Sequence, residues 1–322
     1  TLITGASFMD TYQSRFHREW GLLKDPHVRS LAWLLTSPDI LDKDAPMWWH
    51  QIGSLASSDD AQLRKWLIAL DRHPSVLHEA LKVHRFLRLG HYAENLLAFY
   101  FTHEGLLSGH GVQVHNERNE TIGEFDYLLF APGGLLHLEL ATKFYLFHPA
   151  PSAHRARSVF DYLGPTLNDT LGAKMQKILQ RQLMLSQHES AQKLIATKVI
   201  AAKAIIKGWL FYRSQERDQF SVPGIANNHC LGFWWTMSEV ERLAIPYAVR
   251  LERLQWLAPA QTEVDEVLEK GMLIESLQRH FHIETTPILI AIMKKNGDVM
   301  QEFCRGMVVP DSWVEKADHL AR

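Results

Sequence analysis

The stretch from Thr121 to Phe147, TIGEFDYLLF-APGG-LLHLELATKFYLF, decides the fold of this chain. Two apolar runs of strand length flank the break APGG at residues 131–134, which is a turn signal. The pattern therefore predicts an antiparallel hairpin with those four residues as its loop. In that register Asp126 lies directly opposite Glu139 on one face, with the two Cβ atoms roughly 5 Å apart.

The facing pair of Asp126 and Glu139 needs compensation, because opposed like charges destabilise a hairpin and partial burial increases that cost. A shared proton, a cation or a divalent metal would supply it. Side chains alternate along a strand, so His137, Ala141 and Lys143 would lie on the face that carries the pair, while the other face is apolar. The hairpin therefore predicts a core surface on one side and a polar site on the other.

The composition is ordinary for a soluble globular protein. The 322 residues are enough for a large core, with 46% apolar and 22% charged residues. The net charge of −2 gives no general attraction to polyanions, so nucleic-acid binding would need a local basic patch. The sequence has no membrane-length apolar run, no secretory signal and no CxxC pair. These features predict a cytoplasmic protein without a membrane partner.

The first part of the chain is predicted to be helical. The apolar spacing at Val28–Leu35, Asp60–Leu70 and Val76–Phe86 is typical of amphipathic helices. A further helix is expected at His91–His103, where Glu94 is the only Asp, Glu, Lys or Arg. The structural alternative for Glu94 is a carboxylate near a helix N-terminus, where the helix dipole favours it.

Further elements follow the pattern after the helix. Val112–His115 alternates as a strand, and a helix is predicted from Asn168 or Asp169 to Gln187, with Asn168 as its cap. A strand is expected at Ala202–Tyr212, where Gly208 indicates a close backbone approach or a bulge.

The predicted helix after Asn168 would carry a basic ridge. Lys174, Lys177 and Arg181 recur at helical spacing, either as a solvated face or as a track for phosphates. A preceding loop adds Arg155 and Arg157.

The C-terminal third predicts a mixture of strands and a helix. Pro246–Leu257 alternates as a strand, and Val264–Phe281 has the pattern of an amphipathic helix. Pro287–Met293 and Val299–Val309 flank a segment with Asn296-Gly297, which suits a tight hairpin.

The polar residues that fall among apolar neighbours suggest a chemistry. Carboxylates from Glu94, Asp126 and Glu139 suit Mg²⁺ or Mn²⁺, which prefer oxygen ligands. A lysine beside them, such as Lys143, can orient a water and offset charge on a phosphate. The set predicts metal-assisted phosphodiester hydrolysis. A shared proton, or a structural ion pair with Lys143, would explain the same residues.

The order of these features resembles the core of the PD-(D/E)XK nuclease superfamily: a helix with a Glu, a strand, an Asp-bearing hairpin, a Glu-x-Ala-x-Lys strand, a helix and a strand. The sequence more closely resembles a bacterial family of unknown function placed in that superfamily. The stretches that carry this resemblance are GHYAENL, TIGEFDYLLF, HLELATKFYL, GPTLNDTLGAKM, RQLMLS, VRSLAWLLTSPDIL and CRGMVVPDSW. Together they span almost the whole chain.

The resemblance implies that Asp126 and Glu139 bind the metal and that Glu94 adds to the site. The superfamily's usual lysine position is Ala141 here. Lys143 lies two residues further along the same face, about 6.6 Å away, and Lys174 on the following helix is the other candidate.

Several further residues complete the predicted site and its surroundings. The supporting candidates are Gln113, His137, Lys174 and Gln182. The candidate nucleic-acid contacts are Arg155, Arg157, Lys174, Lys177 and Arg181.

The expected architecture is an α/β protein with a central mixed sheet flanked by helices. It would comprise a helical N-terminal extension at 1–88, a restriction-endonuclease-like core at 89–240 and an α+β extension at 241–322. The expected function is Mg²⁺- or Mn²⁺-dependent cleavage of nucleic acid, with DNA favoured over RNA. The alternatives are a weakly active or inactive binding module with the same fold, and a metal-dependent hydrolase of a small phosphate ester.

Overall fold

A large mixed sheet flanked by helices forms the centre of the protein. The computed structural model describes residues 11–55, 60–82, 88–149, 156–213 and 221–320. The predicted α/β class and the central mixed sheet are confirmed.

The helices of the described residues begin with an N-terminal group, as the apolar spacing predicts. The helix predicted at Val76–Phe86 ends earlier, at Leu81, because Lys82 has a left-handed backbone conformation with a φ of 49°. The predicted part at residues 83–87 lies outside the described residues. The side chain of Asp25 accepts hydrogen bonds from the backbone N–H groups of His27 and Val28, and Pro26 occupies the first helical position. Both features favour a helix start. The helices are α1 Tyr12–Trp20, α2 Pro26–Thr36, α3 Asp60–Arg72, α4 Ser75–Leu81, α5 Leu89–His103, α6 Leu171–Lys177, α7 Glu189–Leu194, α8 Met237–Val240, α9 Lys270–Ile283 and α10 Trp313–Leu320.

The strands of the described residues form one sheet. They are β1 Leu107–His115, β2 Thr121–Ala131, β3 Gly134–Phe147, β4 Tyr162–Leu163, β5 Val199–Tyr212, β6 Leu231–Thr236, β7 Tyr247–Arg250, β8 Gln261–Glu263, β9 Leu268–Glu269, β10 Ile288–Asn296 and β11 Val299–Val309. Their order is β1-β2-β3-β5-β6-β11-β10-β7-β9, with β4 paired to β3 and β8 to β11. The contacts β3–β5, β5–β6 and β6–β11 are parallel, and the other pairs are antiparallel.

The predicted hairpin is confirmed, with Phe130 paired to Leu135. The strands extend to Ala131 and Gly134, which leaves a two-residue turn in which Gly133 has a φ of 88°. That left-handed conformation favours glycine. The β2–β3 pairing runs to Tyr127 and Leu138, and the ladder opens beyond that point. Asp126 and Glu139 lie at the opening.

The open edge of β3 is the feature that makes room for a site. On this edge β3 pairs with β2 over 134–138 and with β4 over 146–147. In the described part of the chain, residues 139–145 have no strand partner there. On its other edge β3 pairs in parallel with β5, so closely that a Cβ on Gly208 would lie 1.7 Å from the Lys143 carbonyl oxygen. The close approach predicted at Gly208 is confirmed.

The core covers both faces of the sheet. On one face Leu138, Leu140 and Phe144 of β3 pack with side chains of α2 and α5. On the other face Ala141 and Tyr145 pack with side chains of α6. The alternation predicted for β3 is therefore confirmed, but the face predicted to be a polar site is packed as well, because α6 covers it.

The predicted helix from Asn168 or Asp169 to Gln187 is wrong as a continuous helix. Helix α6 ends at Lys177, and Ile178–Gln182 forms a wider π-type turn. A π-type turn adds one residue per turn and shifts the side chains that follow it. The physical result is that Gln182 contacts β3, while the apolar side chains around it stay buried.

The predicted cap at Asn168 is also wrong. The side chain of Thr170 caps α6 by accepting a hydrogen bond from the backbone N–H of Ala173 at 3.1 Å. The side chain of Asn168 instead donates a hydrogen bond to Thr166. Both residues are good cap types, so the loop geometry decides which one is used.

Two boundaries in the C-terminal third differ from the prediction. The strand predicted at Pro246–Leu257 is limited to β7, because the chain that follows turns over a buried ion pair, Arg305 with Glu302. The Arg305 guanidinium donates hydrogen bonds to the carbonyls of Trp256 and Ala258. The helix predicted from Val264 begins only with α9.

The hairpin predicted around Asn296-Gly297 is confirmed by β10 and β11. The sheet runs without interruption from β5 through β6 to β11. The predicted domain boundaries at 88 and 240 stay predictions. None of the helices in the described ranges is long and apolar enough to cross a membrane.

Candidate functional site

The carboxylate of Glu139 is the most buried acidic group at the open edge of β3, with 1% of the residue exposed. Its Oε1 accepts hydrogen bonds from His137 Nε2 at 2.7 Å and from the Asp126 backbone N–H at 3.4 Å. Its Oε2 accepts one from Gln182 Nε2 at 2.5 Å. Three donors compensate for the lost hydration of a buried carboxylate.

Asp126 lies beside Glu139 and has fewer donors. Its Oδ2 accepts a hydrogen bond from the Leu140 backbone N–H at 2.9 Å. Burial, followed by the charges of Glu139 and Glu94, raises the pKa of Asp126 to about 8. The pair therefore tends to hold a proton near neutral pH, unless a cation replaces it.

Helix α5 brings Glu94 toward the pair. The fully buried Tyr127 of β2 fixes this part of the helix, because its hydroxyl donates a hydrogen bond to the Glu94 carbonyl at 2.7 Å. The Glu94 side chain contacts His91 Nδ1 at 3.1 Å. Burial is the main cause that raises the pKa of Glu94, and the charges of Glu124 and Glu139 raise it further. Glu94 therefore belongs to the same electrostatic cluster as Asp126 and Glu139.

The helical segment after the hairpin supplies an amide and a lysine. Lys174 Nζ donates a hydrogen bond to Gln182 Oε1 at 3.3 Å, and Gln182 donates in turn to Glu139. Burial lowers the pKa of Lys174, as do the neighbouring lysines, while Asp126 and Glu139 oppose that shift. Lys174 is therefore the lysine that the structure couples to the carboxylate pair.

Lys143 lies further along β3 and has a different partner. Its Nζ is 3.9 Å from Oδ2 of Asp169, which also accepts a hydrogen bond from the Tyr145 hydroxyl. Burial lowers the pKa of Lys143, and Asp169 opposes this shift. The sequence placed Lys143 on the correct face, but its ammonium is held by Asp169.

The remaining predicted residues lie around this centre. Gln113 donates a hydrogen bond to Glu124, whose charge acts on Asp126 and Glu94. Lys177 and Arg181 are exposed, and Arg157 is half-buried. Arg155 lies outside the described residues.

The donor set fits a hydrated Mg²⁺ or Mn²⁺ ion better than a fully protein-ligated one. Among the described residues, no group of three or more His, Cys, Asp or Glu side chains is placed to hold a metal ion. Mg²⁺ keeps several waters and uses one or two carboxylates. Asp126 and Glu139 supply two. Burial and then the charges of Glu139 and Glu94 raise the pKa of Asp126, and a bound cation would offset that negative charge.

The sequence reasoning missed Asp169 and Tyr127 as site residues. Asp169 appeared only as a possible helix start, and Tyr127 looked like an ordinary core residue of β2. A tyrosine beside a candidate acidic residue is a weak signal, because its hydroxyl needs a partner when the ring is buried. No local pattern points from Asp169 to Lys143.

The chain was compared with models of protein families. Residues 29–309 match the model of a family described as a domain of unknown function, DUF1853. The match runs from within α2 to the end of β11 and covers most of the chain. Comparison with curated proteins and with solved structures found no match.

Proposed function

The chain belongs to the DUF1853 family, and we propose that it is a phosphodiesterase that cleaves nucleic acid with Mg²⁺ or Mn²⁺. The observation that carries the proposal is the Asp126–Glu139 pair at the open edge of β3, with Lys174 coupled to it through Gln182. By the resemblance to the PD-(D/E)XK nucleases, DNA is the first substrate to test.

The order of the elements supports a restriction-endonuclease-like core. Helix α5 carries Glu94, and the β2–β3 hairpin carries the acidic pair. Helices α6 and α7 follow before β5, which is parallel to β3. This is the order that the resemblance implies. Cys230 and Cys304 are free and buried, which fits the cytoplasmic location that we propose.

The roles of the residues follow from their contacts. Asp126 and Glu139 would hold the metal, which when bound would stabilise charge on the phosphate and make a water more acidic. His137 and Gln182 orient the Glu139 carboxylate, and the ammonium group of Lys174 offsets negative charge near the pair.

Cleavage of DNA in the presence of Mn²⁺ is the direct test. The full chain is expected to cut plasmid or linear DNA with Mn²⁺ and to stop when a chelator is added, because the acidic pair alone lacks the positive charge that phosphodiester cleavage needs. Gel analysis of the products measures this. The double variant Asp126→Ala/Glu139→Ala is the control, and undiminished cleavage by it would reveal a contaminating nuclease and defeat the proposal.

The affinity for Mn²⁺ is expected to increase with pH up to about 8 and then to level off. The pKa of Asp126 is raised to about 8, so below this pH a proton must leave before the carboxylate can bind metal. For each pH unit below about 8, the apparent affinity for Mn²⁺ therefore falls by up to about tenfold. Calorimetric titration of the metal-free protein from about pH 6 to about pH 9 measures the change. Equal affinity at all these pH values would contradict the assignment of Asp126 as a ligand.

A second candidate function is a binding module that keeps this fold without cutting. It is favoured by Ala141 at the usual lysine position and by the contact of Lys143 with Asp169. In that case the wild-type chain would bind DNA, and Mn²⁺ would produce no cleavage at any pH tested. The cleavage assay above separates the two candidates.

A further inference from the structure

A pocket of about 320 Å³ opens along the unpaired edge of β3, further along the strand than the acidic pair. Its walls are the β3 segment 142–145, the start of α5, the loop that carries Arg253, and Asp169. The pocket and the site share the start of α5, because a Cβ on Gly90 would lie 3.6 Å from Glu94 Oε1. A nucleic-acid strand bound at the acidic pair would therefore reach the pocket.

The charged lining of the pocket is mainly cationic. The pocket is lined by three cationic side chains, those of Arg88, Lys143 and Arg253, and by one carboxylate, that of Asp169. The Arg253 guanidinium lies over the Trp256 ring, 4.3 Å from its centroid. Among the described residues, no carboxylate forms an ion pair with Arg253. A stacked guanidinium without a carboxylate partner is suited to an anionic ligand.

The open edge of β3 adds neutral donors. Its register with β5 is regular from Leu136 to Leu146, so backbone N–H groups alternate between the two edges. The Leu140 N–H points to the open edge, where it binds Asp126. The N–H groups of Thr142 and Phe144 therefore point to the same edge. The buried Thr142 Oγ1 also lacks a hydrogen-bond partner within the described structure.

We propose that this pocket binds the terminal phosphate of a nucleic-acid strand, which makes the enzyme selective for phosphorylated strand ends. This inference rests on the proposed function. A phosphate monoester carries a charge of about −1.5 to −2 at neutral pH and offers three acceptor oxygens. That charge matches three cations against one carboxylate, whereas an internal phosphodiester carries a single charge.

The distance along β3 between the pocket and the acidic pair sets the distance between the bound nucleic-acid end and the cleaved phosphodiester bond. Lys143 lies four residues beyond Glu139 on the same face, which corresponds to about 13 Å. Phosphates of one strand recur every ~3.4 Å along a duplex axis. The bound end and the cleaved bond are therefore a few nucleotides apart, and short oligonucleotides are the expected products.

Binding of labelled oligonucleotides with a 5′-phosphate, a 3′-phosphate or only hydroxyl ends tests the pocket. Fluorescence anisotropy with the full chain in Ca²⁺ is expected to show about tenfold tighter binding of one phosphorylated form, because charge-assisted hydrogen bonds are added. Arg253→Gln should lower the affinity for the phosphorylated strand toward that for the hydroxyl-ended strand and so remove this preference. Arg88→Gln, at an exposed position, should also reduce the preference for the phosphorylated oligonucleotide.

The matched control is Arg279→Gln, which removes an exposed arginine paired with Glu275 on α9 and should keep the preference. Equal affinity for all three oligonucleotides, or binding of none, overturns the inference. Cleavage without an end preference would defeat the pocket and leave the proposed function standing. An end preference in binding without cleavage would defeat the proposed function and leave the phosphate pocket standing.

Discussion

Replacing Asp126 by asparagine is expected to reduce metal-dependent cleavage by about a thousandfold or more, since a metal ligand contributes several kcal/mol of charge stabilisation. The substitution preserves shape. An asparagine oxygen can still accept the hydrogen bond from the Leu140 backbone N–H, so the hairpin should keep its geometry. The loss would therefore report the missing carboxylate charge.

The same substitution is expected to stabilise the metal-free protein at alkaline pH. The pKa of Asp126 is about 8 in the folded protein and about 3.9 in an unfolded chain. Between these values the folded protein holds a proton that the unfolded chain has lost, so wild-type stability falls as the pH rises. The amide introduced by Asp126→Asn cannot ionise. The variant should therefore have a larger free energy of unfolding than the wild type. This difference should be absent below about pH 4, increase up to about pH 8, and reach several kcal/mol in order of magnitude.

Urea unfolding of the metal-free proteins at about pH 4 and about pH 9 measures this effect on stability. Glu120→Gln is the matched control, because Glu120 is an exposed carboxylate near the same hairpin that accepts a hydrogen bond from Asn116. It should change neither cleavage nor the pH dependence. An Asp126→Asn variant that is no more stable than wild type at about pH 9 would show that the pair is not strained by its charges.

Replacing Lys174 by alanine is expected to lower kcat by about a hundredfold or more, with a smaller effect on KM. Lys174 is the lysine coupled to the acidic pair through Gln182. Its ammonium would act on charge that develops during the reaction, and an interaction made mainly in the transition state affects kcat more than KM.

Steady-state cleavage by Lys174→Ala, Lys143→Ala and Lys193→Ala measures this contribution. Lys193 is exposed on α7 and paired with Glu189, so its removal should leave kcat unchanged. Lys143→Ala should mainly reduce the preference for phosphorylated ends. A larger loss of kcat for Lys143→Ala than for Lys174→Ala would reverse the two roles.

The part of the site that could be predicted from sequence lies on one hairpin. The APGG break and the apolar alternation are local signals, and they were enough to place Asp126 opposite Glu139 and to predict which side chains of β3 share a face. The proximity of Glu94 to the pair was also predicted, because a lone carboxylate among apolar helix positions is a visible exception to the pattern.

The part that could not be predicted depends on a break in regular structure. The apolar period continues through Leu179 and Leu183, so the sequence from α6 onward resembles one uninterrupted helix. The sequence pattern therefore gives no sign of the π-type turn at Ile178–Gln182, although this turn directs Gln182 to Glu139. The pocket was missed for a related reason, since its lining residues come from distant parts of the chain.

The sequence by itself therefore determined the hairpin, its register and the opposed carboxylates, because these follow from side-chain alternation and a short turn. Only the tertiary structure decided which lysine is hydrogen-bonded toward the pair. Strand β3 loses its β2 partner after Leu138, which opens an edge that α6 and the start of α5 can approach. The packing of α6 against the face of β3 that carries Ala141 and Tyr145 couples Lys174 to the pair through Gln182, whereas Lys143 contacts Asp169. Such contacts between distant segments depend on packing, which local sequence patterns do not encode.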